Sequence, residues 1–165
     1  MAQEMTEGKT DPARIETMAE SDLDQVIRIE ATSGWSSWSR QSFIEELKNP
    51  FSYCFTLRVR NDPGDQPGNE IAGFVCFRLV EDESELINLA IDPRHRRKGF
   101  GRELMGFYLD FCRLRKVEVF YLETGVTNQP AIRLYQSFAY QPAGIRPRFY
   151  PGKEDALLMT RRASP

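Results

Sequence analysis

The chain has 165 residues, 41% of them hydrophobic and 28% charged, with a formal net charge of −2 at pH 7. That length suits one domain around one substantial core, the acidic balance argues against a general nucleic-acid-binding surface, and no apolar run reaches the length of a transmembrane helix. The opening stretch MAQEMTEGKTDPAR lacks the apolar core of a secretory signal, so a cytoplasmic protein is expected.

Residues 1–13 are polar and read as a flexible tail, and 14–162 as a single domain. Arg14 to Thr17 reads as a short strand. Ser21 or Asp22 is a candidate cap for a helix through Leu23, Val26, Ile27 and Ile29, spaced at helical period. Ala31 to Ser39 is expected to be a loop carrying Trp35 and Trp38. Ser39 then caps a helix with Phe43, Ile44 and Leu47, which Asn49-Pro50 ends. Strands follow at Ser52 to Arg60 and Ile71 to Leu79, antiparallel around the turn-rich connector NDPGDQPGNE. After an acidic turn comes a strand at Glu85 to Ile91, stopped by Asp92-Pro93. A basic glycine-containing loop leads into an amphipathic helix, Gly101 to Arg115, and another strand, Val117 to Glu123. Strand, helix and strand at this spacing imply a parallel pair with a right-handed crossover. A helix at Asn128 to Ser137 precedes strand-like stretches at Tyr140 to Tyr150 and Ala156 to Thr160. The expected architecture is one mixed α/β sheet layered with helices.

Chemistry concentrates after the strand at 85–91. In Arg96-Arg97-Lys98-Gly99-Phe100-Gly101, glycines let backbone amides turn toward a ligand, and a helix N-terminus adds unpaired donors and partial positive charge. Such a junction suits a pyrophosphate. Neither GxxxxGK[ST] nor a complete GxGxxG is present, which disfavours ATP and NAD. An ordinary helix start with solvated charges is the plain alternative. Cys54, Cys76 and Cys112 lie in apolar segments without CxxC or Cys/His clustering and read as buried thiols. The lone histidine, His95, reads as a solvated loop residue. No ligand set for zinc or another metal is present.

Asn88-Leu89-Ala90-Ile91-Asp92-Pro93 followed by Arg96-x-x-Gly99-x-Gly101 resembles the signature of the GNAT acetyltransferases, and within them the branch that acetylates the N-terminal alanine of ribosomal protein S18. Trp38-Ser39 looks like that branch's PWS segment. Glu123-x4-Asn128 and then Tyr135 match its catalytic spacing, and Arg148-Phe149-Tyr150-Pro151 with Glu154-Asp155-Ala156 look like its RRxYYP…EDA ending. The resemblance implies a mostly antiparallel sheet with one splayed parallel pair. Acetyl-CoA would lie in that V as acetyl donor. Backbone groups of Leu89, Ala90 and Ile91 would bond its pantetheine, Arg96 and the amides of Arg97, Lys98, Gly99, Phe100, Gly101 and Arg102 its pyrophosphate, and Asn128 its pantetheine arm. Glu123 would be the general base and Tyr135 the general acid. Trp38, Asn88 and Tyr150 would border the acceptor, a protein N-terminus, with neither nucleic acid nor membrane as partner. Three departures stand out: the long 61–70 connector, Ser37 in place of the proline of PWS, and Ser137-Phe138-Ala139-Tyr140, which lacks the glycine of the usual S-L-G-F turn.

The residues support that chemistry in part by themselves. A free α-amine with a pKa of about 8 is partly neutral at pH 7, whereas lysine at about 10.4 is mostly charged, and a strand-end carboxylate can accept the proton. Asn128 and Tyr135, seven residues apart, share one helix face, where a single ligand could touch both. Each also has a plain role: Glu123 as an exposed strand-end residue, Tyr135 as a packed ring and Asn128 as a helix cap. The acidic clusters Glu81 to Glu85 and Glu154-Asp155 read as solvated surface that could attract a basic peptide. Alternatives that remain open are acetylation of a small amine or lysine side chain, and a CoA-binding module without turnover.

Overall fold

The computed structural model describes residues 13–33, 38–60, 69–150 and 154–164, apart from the side chains of residues 149 and 150. The elements in chain order are β1 (Arg14–Thr17), α1 (Leu23–Ser33), α2 (Arg40–Lys48), β2 (Ser52–Val59), β3 (Glu70–Val80), β4 (Glu83–Ile91), α3 (Phe100–Leu114), β5 (Val119–Gly125), α4 (Gln129–Ser137), β6 (Gln141–Tyr150) and β7 (Glu154–Arg162). The strands form a sheet of order β1-β2-β3-β4-β5-β7-β6 among the described residues. β4 and β5 run parallel, and every other neighbouring pair is antiparallel. This is the mixed α/β sheet with one parallel pair that the element pattern called for.

The period-2 alternation of β3 sorts side chains to two cores. Phe74 and Cys76 meet Leu23, Val26 and Ile29 of α1 and Phe43 of α2 on one face. Val75 and Phe77 meet Leu104, Met105, Tyr108 and Cys112 of α3 on the other, joined by Phe120 and Leu122 of β5 and Ile132 of α4. Tyr108, at the centre of α3, is fully buried, and its hydroxyl is satisfied by Ser84 Oγ at 2.7 Å, which in turn donates to the Arg78 carbonyl. This pins the middle of α3 to the start of β4. All three cysteines are buried free thiols.

Several boundaries differ from the sequence reading for local reasons. Neither Ser21 nor Asp22 caps α1: Glu20–Asp22 forms a 3-10 turn with Ala19 as its N-cap residue, and the Asp22 carboxylate accepts the Ala19 amide at 2.8 Å. α1 runs on through Ser33, so the Ala31–Ser39 loop is shorter than expected, and residues 34–37, Trp35 among them, lie outside the described residues. Most of the 61–70 connector, residues 61–68, lies outside them too. Ser39 caps α2 as expected, accepting the Ser42 amide at 3.1 Å. β5 starts at Val119, not Val117, because the chain is still reversing out of α3, with Lys116 at φ 59. It ends at Gly125 because Thr124 and Gly125 continue the ladder with Leu157 and Ala156.

Candidate active site

The site begins as a failure of two strands to stay together. β4 follows β3 along its whole length, to the Gly73–Ile91 pair, but meets β5 only from Glu83–Val119 to Leu86–Leu122. On β3, Cys76 faces Asn88 and its neighbour Phe77 faces Leu86, so Ile87 is an extra residue on β4. Such a bulge bends a strand and increases its twist. Beyond it, β4 turns away from β5, which keeps only β7 beside it. Among the described residues, the backbone groups of β4 past Leu86 that would have bonded β5 have no strand beside them, and unpaired backbone donors and acceptors in a cleft are strong ligand-binding groups.

The opening is a cleft of about 520 Å³. Leu89, Ala90 and Ile91 form one wall, and Leu122, Glu123 and Thr124 the other. Asn128, Ala131, Leu134 and Tyr135 of α4 close one side, Thr32 and Ser33 at the end of α1 border it, and Arg96 and Gly101 stand at one end. That end runs into a shallower depression of about 200 Å³ bordered by His95, Arg96, Arg97, Gly99, Phe100, Gly101 and Arg102. Gly99 is the N-cap residue of α3 at φ 79 and Arg97 stands at φ 63. The first bond into the helix is Glu103 N–H to the Gly99 carbonyl at 3.0 Å, so the preceding first-turn amides have no acceptor within the helix. Left-handed residues in such a turn swing successive N–H groups to one side and make an anion cradle. The Arg102 side chain is held elsewhere, on Ser137 Oγ at 3.0 Å and over the Phe138 ring, so its contribution here is its backbone.

His95 is not the solvated residue its polar neighbours suggested. It is 7% exposed. Lys98 Nζ, a donor only, reaches Nδ1 at 3.2 Å, which leaves Nε2 to carry the proton and donate to Glu70 Oε1 at 3.1 Å. Glu70 Oε1 also takes Arg94 at 3.0 Å, while its buried Oε2 has no partner among the described residues. Asp92 accepts the Arg94 amide at 2.9 Å and pairs with its guanidinium, which holds the Asp92 carboxyl below the usual aspartate range. The basic run therefore divides: Arg94, His95 and Lys98 tie the loop to β3 and to itself, and the remaining residues face the depression.

Glu123 and Tyr135 line the same cleft, one from β5 and the other from α4. Burial pushes the Glu123 carboxyl above the ordinary glutamate range; Arg146 opposes that shift and Glu85 adds to it. Arg146 of β6 meets Glu123 Oε1 at 2.7 Å. Tyr135 is 8% exposed, its ring 6.0 Å from that of Tyr140. Asn128 performs its cap role, accepting the Ala131 amide, and lines the cleft as well. Asn88 borders the cleft but donates its amide to Glu30 Oε2 at 3.0 Å. Glu30 is 2% exposed and also accepts the Trp38 backbone amide, so it ties β4 to the segment before α2. The Trp38 ring packs edge-on against Phe43 at 5.1 Å. Tyr150 ends β6, and its side chain is outside the described set. Of the acidic clusters, Glu154 accepts the amide of Thr127, which lines the cleft, and Asp155 accepts the Arg148 amide, so both hold backbone as well as carrying charge.

A strand pair opened by a bulge, with a helix N-terminus at one end of the V, leaves an open cleft next to a turn that attracts anions. The model of the acetyltransferase (GNAT) family matches residues 21–140, and the chain belongs to that family: it is an acetyltransferase that uses acetyl-CoA. The ribosomal protein bS18-alanine N-acetyltransferase of Escherichia coli K12 is 32% identical over 148 residues, 88% of this chain and 94% of that one. The crystal structure of the ribosomal-protein-S18-alanine N-acetyltransferase from Escherichia coli superimposes with a TM-score of 0.78 at 30% identity, over 93% of this chain and 96% of that one. Arabidopsis thaliana NAA60 in complex with acetyl-CoA gives a TM-score of 0.81 over 92% and 98% of the two chains; at 18% identity that likeness concerns the fold.

Proposed function

We propose that this enzyme transfers the acetyl group of acetyl-CoA to the α-amino group of a protein N-terminus, that of ribosomal protein S18, in the cytoplasm, with residues 14–162 as one catalytic unit. The observation that carries the reading is the cleft beside the open edge of β4, which Glu123 of β5 and Tyr135 of α4 both line. Relatives around 30% identical along almost their whole length carry that activity in their names, which supports the choice of acceptor.

In this reading Leu89, Ala90 and Ile91 hold the pantetheine through backbone groups, Asn128 steadies it, and the amides from Arg97 to Arg102, with Arg96, hold the pyrophosphate. The donor supplies an acyl carbon activated by its thioester. Glu123 takes a proton from the acceptor ammonium, either directly or through water, and frees the nitrogen lone pair to attack that carbon. As the new C–N bond forms and the C–S bond breaks, the Tyr135 hydroxyl gives its proton to the departing thiolate. The second proton of the amine restores the tyrosine, and the first leaves Glu123 for solvent. A base with a raised pKa is well matched to an α-amine, whose pKa of about 8 needs far less help than that of lysine. Trp38, Asn88 and Tyr150 border the acceptor, with Asn88 acting through Glu30 on the segment before α2.

The test is incubation with acetyl-CoA and a peptide bearing the S18 N-terminus, read by mass spectrometry. One acetyl group on the α-nitrogen is expected, and Glu123→Gln and Tyr135→Phe should each lower turnover by about 100-fold or more while acetyl-CoA still binds. Acetylation of lysine side chains or polyamines with the α-amine untouched would overturn the reading.

A further inference from the structure

Glu123 is not left open to solvent. On the face where its carboxylate points into the cleft, the ladder runs from Glu123 to Leu158 of β7 and from Leu158 to Gly144 of β6. Arg146 stands two residues along β6 from Gly144, on the same face, and its guanidinium spans β7 to meet Glu123 Oε1 at 2.7 Å. The two partners differ in setting: the Glu123 side chain is 17% exposed and that of Arg146 54%. The carboxylate is thus the inner member and the cation the rim member.

We propose that Arg146 is a positioning residue that holds the place of the acceptor's ammonium: its guanidinium keeps the Glu123 carboxylate turned into the cleft, with its charge balanced, until the incoming α-ammonium replaces it. The proposal rests on the reading of Glu123 as the base. Arginine stays protonated throughout and cannot take the acceptor's proton itself. An ion pair with one partner half in water is worth little, so exchanging it for the substrate's cation costs little. Around Glu123 stand Glu85 of β4 and Arg146 of β6, which act on its charge, Leu158 of β7, its ladder partner, and Tyr135 of α4, which lines the same cleft. Burial and Glu85 both disfavour the charged carboxylate, and Arg146 is the group opposing them. Removing it therefore leaves a base that protonates more readily.

The experiment compares wild type, Arg146→Gln, Arg146→Lys, Glu123→Gln and the double variant Glu123→Gln/Arg146→Gln, using acetyl-CoA and the S18 N-terminal peptide across a pH series. Arg146→Gln should move the acid limb of kcat/KM up by roughly half a pH unit or more, with acetyl-CoA affinity unchanged, and Arg146→Lys should restore the limb most of the way. The double variant should be no slower than Glu123→Gln alone, because the arginine acts through the glutamate. An unmoved acid limb in Arg146→Gln, or an additive loss in the double variant, with Glu123→Gln still inactive, would overturn the placeholder role and leave the base assignment standing. Full activity in Glu123→Gln would overturn both.

Discussion

Ala139 stands where the family's usual turn has glycine, and the structure gives the consequence a sign and a size. At the end of α4, the Tyr140 amide donates to the Tyr135 carbonyl at 3.1 Å and the Ala139 amide to that of Gln136 at 3.0 Å. That is a Schellman closure, whose residue after the cap takes the left-handed conformation, and Ala139 sits at φ 65. A residue with a Cβ pays roughly 1–2 kcal/mol there, and glycine gives back about 0.4–1 kcal/mol through its freer unfolded chain. Ala139 is exposed, so its methyl has no packing to lose. The net for Ala139→Gly is a gain of about 0.5–1 kcal/mol, or a Tm rise of about 1–4 °C for a chain of this size. Lys116, at φ 59, closes α3 in the same way, with Val117 N–H on the Cys112 carbonyl at 3.2 Å, and Lys116→Gly should shift in the same direction. Ala31→Gly, on the exposed side of α1, is the control of opposite sign, with an expected loss of about 0.5–1 kcal/mol. Urea unfolding of the three variants measures all of this. A destabilised Ala139→Gly, matching Ala31→Gly, would refute the reasoning.

Gly99→Ala is expected to lose about 1 kcal/mol of stability from backbone strain alone, since among the described residues no atom beyond its chain neighbours lies within 4 Å of the added Cβ, and to bind acetyl-CoA several-fold more weakly by calorimetry; wild-type affinity would take the anion cradle away from this loop. His95→Ala should cost about 1–3 kcal/mol, because it removes a partner from the buried Glu70 carboxylate and lets go of Lys98; a loss within the few tenths typical of an exposed position would contradict the buried bridge. Glu46 is buried beside Arg78, with contacts of 2.7 and 2.6 Å. Burial would raise its carboxyl, but hydrogen bonds from Arg78 and Ser52 outweigh it and hold the group below the ordinary value of 4.5. A depressed folded pKa means stability that is present above pH 4.5 and is lost as pH falls through the folded value. The stability gap between wild type and Arg78→Met should therefore be wide at neutral pH and narrow below that range; an equal gap at both pH values would refute the charge coupling.

The turn between β4 and α3 is legible because its signals are local: Asp92-Pro93 ends a strand, Gly99 supplies the positive φ and an amphipathic helix follows at once. The parallel pair was legible for the same reason. The V follows only from the family resemblance and not from local pattern, because it depends on the extra residue at Ile87, and nothing in the run Glu85–Ile91 marks which residue bulges. Val117 was drawn into β5 because it is apolar; it is buried instead as the residue that follows the turn out of α3. His95 reads as solvated because its sequence neighbours are charged, whereas its partner Glu70 lies 25 residues away on β3. Arg146 carries no local signal, because its contact with Glu123 spans an intervening strand, and register across three strands is not written in local pattern. Glu30 carried a usable signal, since it follows Ile29 on the face that Val26 starts, a charged residue at a core position.

Hydrogen exchange with and without acetyl-CoA tests the central claim most directly. Amides of Leu89, Ala90 and Ile91 on β4 and from Arg97 to Arg102 at the start of α3 should slow together when the cofactor is added, and those at the far end of β4, where Glu83 and Ser84 already pair with β5, should not change. Protection confined to any other part of the sheet, with both of these segments unaffected at saturating cofactor, would contradict the placement of acetyl-CoA in the V.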